Sequence, residues 1–216
     1  MRKVVLSFIL LFTFTWAFSQ QYTLIKPELY IGTNQGVNLW PHVSFNPSVT
    51  QNFDVRYKGG FTLRYVNMKY FGFQTELNYS QQGWSETNVD GQRYSHRFDY
   101  LELPILAHIY FGKKNTKFFV NLGPEIRYMV SDAATSPFTS NAGVQQTKEI
   151  ENRFDYGITG GLGIEFRTQK AGAFQLEARY HFGLNDVFHA SKKDDFSASS
   201  NQAISVSIVY LFNVLK

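Results

Sequence analysis

Hydrophobic and polar residues alternate along most of the chain, with the period of two that places successive side chains on opposite faces of a β-strand. In residues 117–130, for example, Phe118 and Val120 fall on one face, whereas Asn121 and Glu125 fall on the other. After the first twenty residues, the sequence lacks the helical pattern in which apolar residues recur every three to four positions. The pattern therefore predicts an all-β protein.

Eight segments show this alternation, and we expect each to form one strand. They are residues 28–39, 61–65, 71–80, 100–111, 117–130, 154–167, 174–182 and 203–212. The first segment is the least regular, because Gln35 falls among its apolar positions. Three connections are short (residues 67–69, 112–116 and 168–172), and they alternate with four long polar ones (residues 40–57, 81–97, 131–152 and 185–200). Short turns on one rim and long loops on the other are the layout of an outer-membrane β-barrel.

The charged residues indicate which face points inward. By this strand assignment, the polar faces contain acidic residues and arginine but no lysine. Arginine suits a confined interior because its planar guanidinium can pair with two carboxylates. Seven lysines lie instead on the short-turn rim, where they can reach lipid head groups: Lys26, Lys69, Lys113, Lys114, Lys117, Lys170 and Lys216. We therefore expect the polar face to line the interior and the apolar face to contact lipid.

Aromatic residues on the apolar face support the same arrangement. They gather near the two ends of the predicted strands, as the interfacial girdles of membrane barrels do. The girdle at the short-turn end consists of Phe71, Phe111, Phe118, Phe166, Phe174 and Phe212, and the other of Tyr79, Tyr128, Tyr156 and Phe182. The prediction is an eight-stranded antiparallel up-and-down transmembrane β-barrel.

The interior of an eight-stranded barrel is just wide enough for side chains to fill it. We expect a network of charged and histidine side chains in this lumen. Its predicted members are Glu28, Arg64, Glu76, Glu102, His108, Glu125, Arg127, Asp155, Glu165, Arg167, Glu177, Arg179 and His181. Because an unpaired buried charge costs several kcal/mol, most of these groups should be paired. Packing of the lumen is favoured over an ion path.

The first nineteen residues predict a secretory signal peptide. They contain Arg2 and Lys3, a mostly apolar run over residues 4–18, and small residues at Ala17 and Ser19. An uncleaved anchor helix is the alternative. Residues 20–216 are long enough for one domain, which we predict to be the barrel. The chain has no cysteine, so it forms no disulfide and carries no lipid-modified cysteine.

Four stretches in the second half of the chain resemble a known family. They are YLELPILAHIYFG (residues 100–112), KFFVNLGPEIRYMV (117–130), DYGITGGLGIEF (155–166) and FQLEARYHFGLND (174–186). Their order and spacing are similar to those of the small outer-membrane β-barrel proteins of Gram-negative bacteria called porin-like or PorT-like. The resemblance implies an eight-stranded barrel in the outer membrane and does not imply an enzyme. The chain departs from the usual pattern because it continues past Phe212 to Lys216 instead of ending on an aromatic residue.

Three functions remain open at this point. The leading hypothesis is a monomeric, non-enzymatic barrel with a role in surface interaction, envelope organisation or a secretion system. Its expected partners are outer-membrane lipid and envelope or secretion-machinery proteins, with no nucleic acid and no cofactor or metal. The second hypothesis is a narrow pore for very small solutes. The third is a lipid-modifying enzyme that uses His189, Ser191 and Asp194 in the last long loop.

Overall fold

The computed structural model describes residues 24–46, 48–138, 144–150, 152–168, 171–188 and 198–215. These residues form nine strands and one short helix. They are β1 (Leu24–Asn38), β2 (His42–Asn46), β3 (Arg56–Met68), β4 (Phe71–Thr87), β5 (Arg93–Phe111), β6 (Thr116–Ala134), α1 (Val144–Thr147), β7 (Phe154–Thr168), β8 (Gly172–Asp186) and β9 (Ala198–Asn213). No helix among the described residues is long and apolar enough to cross a membrane. The predicted signal peptide lies outside the described residues.

The sheet closes on itself through β1, which pairs with β3 on one side and with β9 on the other. Each neighbouring pair in the order β1, β3, β4, β5, β6, β7, β8, β9 is antiparallel. The prediction of an eight-stranded antiparallel barrel is therefore confirmed. The short strand β2 continues the line of β1 along β9, since Asn38 lies opposite Ser205 and His42 lies opposite Gln202.

Side chains on the wall strands alternate between an apolar outer face and a polar inner face. On β5, Leu103 and Ile105 are 42% and 51% exposed, whereas Glu102 and Leu106 are almost completely buried. The exposed hydrophobic residues surround the barrel, as a surface in contact with lipid requires. A soluble β-barrel would place these residues in its core instead.

Outward-facing aromatic rings lie near both ends of the wall. At the short-turn end, Phe111 and Phe118 stack with their centroids 5.9 Å apart, and Phe174 packs against Tyr210 at 5.0 Å. Near the other end, Tyr128 on β6 is 53% exposed. These positions match the two girdles that the sequence predicts.

The predicted loop over residues 81–97 is wrong. β4 and β5 stay paired as far as Thr87 and Arg93, so only residues 88–92 form a turn. In this turn the side-chain Oδ1 of Asn88 accepts hydrogen bonds from the backbone N–H groups of Asp90 and Gln92. The polar composition of the segment suggested a loop, but backbone pairing does not require apolar side chains once the strands leave the membrane.

β7 contains inward-facing glycines at places where neighbouring side chains fill the space of a Cβ atom. A Cβ on Gly161 would lie 2.5 Å from Oε1 of Glu177, and a Cβ on Gly163 would lie 2.5 Å from Cζ of Phe119. Both distances are too short for real atoms, so these glycines make room for lumen side chains. The adjacent Gly160 faces outward, and its Cβ would meet only Cδ1 of Leu122 at 3.4 Å and a backbone oxygen at 3.9 Å.

The neighbouring glycines provide a matched test of this packing. We expect Gly161→Ala to lower the free energy of unfolding by about 1–3 kcal/mol, because the new methyl group collides with lumen side chains. Gly160→Ala should be neutral or stabilising by about 0.4–1 kcal/mol, because alanine restricts the unfolded chain. Urea titration of the protein refolded into lipid vesicles would measure both values. Equal effects of the two substitutions would contradict the assignment of inner and outer faces.

Candidate functional site

The thirteen predicted lumen residues all lie at inward-facing positions of the wall strands. Eleven of them are buried. The side chains of Glu28 and Arg167 are 29% and 20% exposed, because they lie at the mouth of the barrel on the short-turn side. The charged and histidine side chains form three connected layers along the barrel axis.

The lower layer lies nearest the short turns and is centred on Glu165. Its carboxylate binds Arg64 at 2.5 Å and also pairs with Arg167. Gln175 donates a further hydrogen bond to it at 2.6 Å. Arg167 also reaches Glu28 at 3.1 Å. The two carboxylates of this layer are thus matched by two guanidinium groups.

The middle layer contains one arginine between two carboxylates. Arg179 donates two hydrogen bonds of 2.8 Å to the two oxygens of Glu76 and also pairs with Glu177 at 2.9 Å. Gln74 and Asn78 donate to the Glu76 oxygens at 2.8 and 2.9 Å. Neutral amide donors therefore compensate for the missing second cation.

His108 links the lower and middle layers. Its Nδ1 lies 2.7 Å from Oδ1 of Asn121, whose amide nitrogen donates to Glu177. Its Nε2 lies 3.2 Å from Nη1 of Arg64. Since Arg64 can only donate, His108 accepts at Nε2 and donates from Nδ1, which makes it a neutral imidazole. Glu102 on the same strand belongs to the upper layer and is paired there with Lys58 and Arg127.

The upper layer contains a cation that the sequence analysis assigned to a loop. Lys58 is 4% exposed and its Nζ lies 2.6 Å from Glu102. The prediction that the inward face has no lysine is therefore wrong. The reason is that β3 begins at Arg56 rather than at Phe61, which places Lys58 in the same inward register as Arg64.

Arg127 is the centre of the rest of the upper layer. It pairs with Glu102 at 2.9 Å, with Glu125 at 2.7 Å and, more distantly, with Asp155 at 3.7 Å. His181 lies 3.2 Å from Glu125. Three carboxylates here therefore share two cations and one histidine.

Three bridges cross the whole lumen between strands on opposite sides of the ring. Arg64 on β3 binds Glu165 on β7, and Arg179 on β8 binds Glu76 on β4. Higher up, Asn201 on β9 donates to the hydroxyl of Tyr100 on β5 at 2.9 Å. Each pair is separated by four strand positions in a ring of eight, so side chains cross the axis at three levels.

A closed ring of antiparallel strands with an apolar outside and this polar inside belongs in a membrane. Residues 18–189 match the family described as outer membrane protein beta-barrel domain. The chain belongs to this family.

Solved structures of outer-membrane barrels resemble this outer-membrane protein in fold. OprG from Pseudomonas aeruginosa is 11% identical with a TM-score of 0.53, over 86% of this chain and 95% of that chain. Neisserial surface protein A is 9% identical with a TM-score of 0.46, over 88% of this chain and 99% of the other. The outer membrane protein AlkL is 9% identical with a TM-score of 0.46, over 92% and 96% of the two chains. The comparison with curated proteins found no match.

An aromatic cap covers the lumen of this outer-membrane barrel at the long-loop end. Its buried members are Val43, Phe45, Trp84, Tyr94, Phe98, Tyr100, Met129, Val187 and Phe188. Trp84 is completely buried and meets Phe45 and Phe188 edge to face, at centroid distances of 5.2 and 6.0 Å. Its indole N–H donates to Glu86 at 2.7 Å. β2 contributes Val43 and Phe45, so this short strand helps to close the barrel.

Burial shifts the pKa of two titratable groups at the aromatic cap, Tyr94 within it and His96, which packs against Trp84. They lie beyond the outer girdle, since Tyr79 pairs with Leu101 and His96 lies farther along the same hairpin. Burial lowers the pKa of His96, although Asp132 opposes this effect. Burial raises the pKa of Tyr94 to about 12, and the negative charge of Glu86 acts in the same direction. Both shifts favour the neutral forms that an apolar cluster requires.

Sequence reasoning missed the aromatic cap and the neutral members of the network. The signal was present, because Trp84 continues the inward register of Glu76, and Tyr94 and Phe98 continue that of Glu102. Extending the alternation past the membrane girdle would have identified these residues. The neutral members Asn34, Gln74, Asn78, Gln82, Asn121, Gln175 and Asn201 also occupy inward positions.

In the part of the chain that the structure describes, no three His, Cys, Asp or Glu side chains are arranged to hold a metal ion. His189, Ser191 and Asp194, the residues of the enzyme hypothesis, lie outside the described residues.

Substitutions in the middle layer should lower the free energy of unfolding by unequal amounts. Arg179→Gln leaves two buried carboxylates without their cation, and we expect it to lower the free energy of unfolding by about 3–5 kcal/mol. Glu76→Gln keeps the pair between Arg179 and Glu177, so its cost should stay below about 1.5 kcal/mol. The triple variant Arg179→Gln, Glu76→Gln, Glu177→Gln should regain most of the loss. Urea titration in vesicles would measure all three, and an equal cost for the two single changes would exclude this charge arrangement.

Proposed function

We propose that this protein is a closed, non-enzymatic barrel that acts through its outer loops, in surface interaction, envelope organisation or as a component of a secretion system. The observation that carries the proposal is the set of bridges between opposite strands. They fill the axis with side chains that are already bonded to one another. Such a lumen suits a rigid support for the loops better than a passage or a catalytic site.

A narrow pore requires space that continues along the axis. The bridges of Arg64, Arg179 and Asn201 interrupt that line at three heights, and the aromatic cap adds an apolar barrier above them. To open a path, a solute would have to break buried ion pairs, each at a cost of several kcal/mol. This cost favours the closed barrel over the pore.

The outer loops present a stiff surface for a partner. The β4–β5 hairpin continues beyond the outer girdle as paired strands. Residues 52–56 lie against it, with the backbone N–H of Asn52 bonded to the carbonyl of Ser85 at 2.8 Å. Near the tip, Val89 is fully exposed and Phe53 is 67% exposed. Both side chains are therefore available to contact another protein.

The closed lumen predicts that the protein does not conduct ions. The wild-type protein, inserted into planar bilayers, should produce no resolved current steps at any moderate voltage, because ion pairs cross its axis. Flotation with vesicles and heat-modifiable migration on gels would show that the sample is folded and inserted. Reproducible steps from such a sample would favour the narrow pore instead.

Photocrosslinking in intact cells would test the role of the outer loops. A photoreactive amino acid in place of Val89 should form protein adducts, because the hairpin tip is available to a partner. The same amino acid in place of the lipid-facing Leu122 serves as a matched control and should form none. A lack of protein adducts at both Val89 and Phe53 would contradict surface interaction.

A further inference from the structure

The β5–β6 turn concentrates positive charge at the short-turn rim. We call residues 112–117 the lysine turn; they contain Lys113, Lys114 and Lys117. Lys113 and Lys114 are exposed, and the Nζ of Lys117 folds back to within 3.3 Å of the carbonyl of Gly112. Three cationic side chains therefore project from one tight connection at the periplasmic end of the barrel.

These lysines have no acidic neighbours to neutralise them. Within the described residues, none of the three forms an ion pair with a carboxylate. Glu28, the acidic residue at this mouth, is already engaged by Arg167 and by the hydroxyl of Tyr30 at 2.9 Å. The charge of the lysine turn is thus available to an external anion.

The described arginines at the opposite end of the barrel behave differently. Arg56 and Arg93 both bind Asp54 there. Arg97 pairs with Asp99 at 3.1 Å. Arginines on the outer surface are matched by aspartates of the same chain, whereas the lysine turn is unmatched. A general excess of basic residues would not produce this difference between the two ends.

Lys114 adopts a backbone conformation that does not favour lysine. Its φ angle is 52°, and it is the only residue other than glycine with a positive φ in the described part of the chain. Glycine or asparagine occupies the left-handed region with less strain. A lysine kept here at an energetic disadvantage indicates that its charge has a use.

The lysine turn lies directly next to an aromatic platform. Phe111 and Phe118, the residues that flank it, face outward and stack with their ring planes 25° apart. They belong to the girdle at the short-turn end, so the lysines lie at the depth of the lipid head groups. This position favours a lipid over a soluble anion, because the glycerol and the first part of an acyl chain can pack on the rings.

We propose that the lysine turn binds the phosphate of an anionic phospholipid in the periplasmic leaflet. Lys113 and Lys114 contact the phosphate, Lys117 supports the turn through Gly112, and the platform of Phe111 and Phe118 holds the lipid below its head group. This site is separate from the outer loops and does not depend on the function proposed for them.

Spin-labelled lipids provide the test. The full protein is refolded in phosphatidylcholine bilayers that contain a trace of spin-labelled phosphatidylglycerol or phosphatidylcholine, and the motionally restricted fraction is measured for each. Wild-type protein should prefer phosphatidylglycerol, and Lys114→Asn should reduce this preference about fivefold, the effect of one basic residue near an anionic surface. Added salt should weaken the preference of the wild type.

Two variants with the same change of charge serve as controls. Lys148 lies at the opposite end of the barrel, so Lys148→Gln should leave the preference for phosphatidylglycerol unchanged. Lys69 lies in the neighbouring short turn on the same rim, with its Nζ over the ring of Tyr70. Lys69→Gln should change the preference by less than about twofold, because salt screens a charge that does not contact the phosphate. An equal loss in Lys69→Gln and Lys114→Asn would mean that the whole rim attracts lipid diffusely, which would overturn the site.

Stability separates a binding role from a structural one. Asparagine accepts the left-handed conformation, so Lys114→Asn should unfold at the same temperature as wild type or a higher one. A lower unfolding temperature together with a lost preference would assign Lys114 a structural role. Suppression of the preference by inorganic phosphate, but not by chloride at equal ionic strength, would assign the site to free phosphate. Binding of polyglutamate in place of phosphatidylglycerol would assign it to an acidic protein.

Discussion

The structure depends on one constraint, which is that every backbone N–H and C=O group within the hydrocarbon layer needs a partner in the protein. Pairing of β1 with β9 meets this requirement by removing both sheet edges. Closure with eight strands then fixes a narrow interior. Because the outer positions must be apolar, the polar half of each alternating strand has to lie in that interior. The buried charge network is a consequence of closing the ring.

The buried charges are compatible with a stable barrel because most of them are bonded to more than one partner. Arg179 serves two carboxylates, and Arg127 serves three. Amides such as Asn78 and Asn121 supply the remaining donors. A planar guanidinium is suited to this task because its five N–H groups point in fixed directions. The bridges that hold opposite walls together also occupy the barrel axis. The same interactions therefore stabilise the barrel and block its lumen.

The charged side chains at the two ends of the barrel are arranged differently. At the outer end, arginines are matched by aspartates, and Trp84 anchors the aromatic cap beneath the loops. At the periplasmic end, the lysine turn lies next to stacked aromatic rings, and its lysines form no ion pair with a carboxylate among the described residues. The described arginines of the outer end are therefore held in ion pairs within the chain, whereas the lysine turn is open to the lipid contact proposed above.

The sequence by itself determined the barrel and its inside and outside, because the two-residue period of a strand is a local property that does not depend on its neighbours. It also placed thirteen charged and histidine residues in the inward register, since one strong alternation assigns every residue in a strand. It did not locate Lys58, the aromatic cap or the extended β4–β5 hairpin. Lys58 was missed because β3 begins at Arg56, before its alternation becomes clear in the sequence. At the aromatic cap and the hairpin, the strands have left the membrane, and pairing is maintained by contacts between distant segments. Which carboxylate meets which arginine was decided only by the tertiary structure, because partners such as Glu76 and Arg179 lie on opposite walls and approach each other only when the ring has closed.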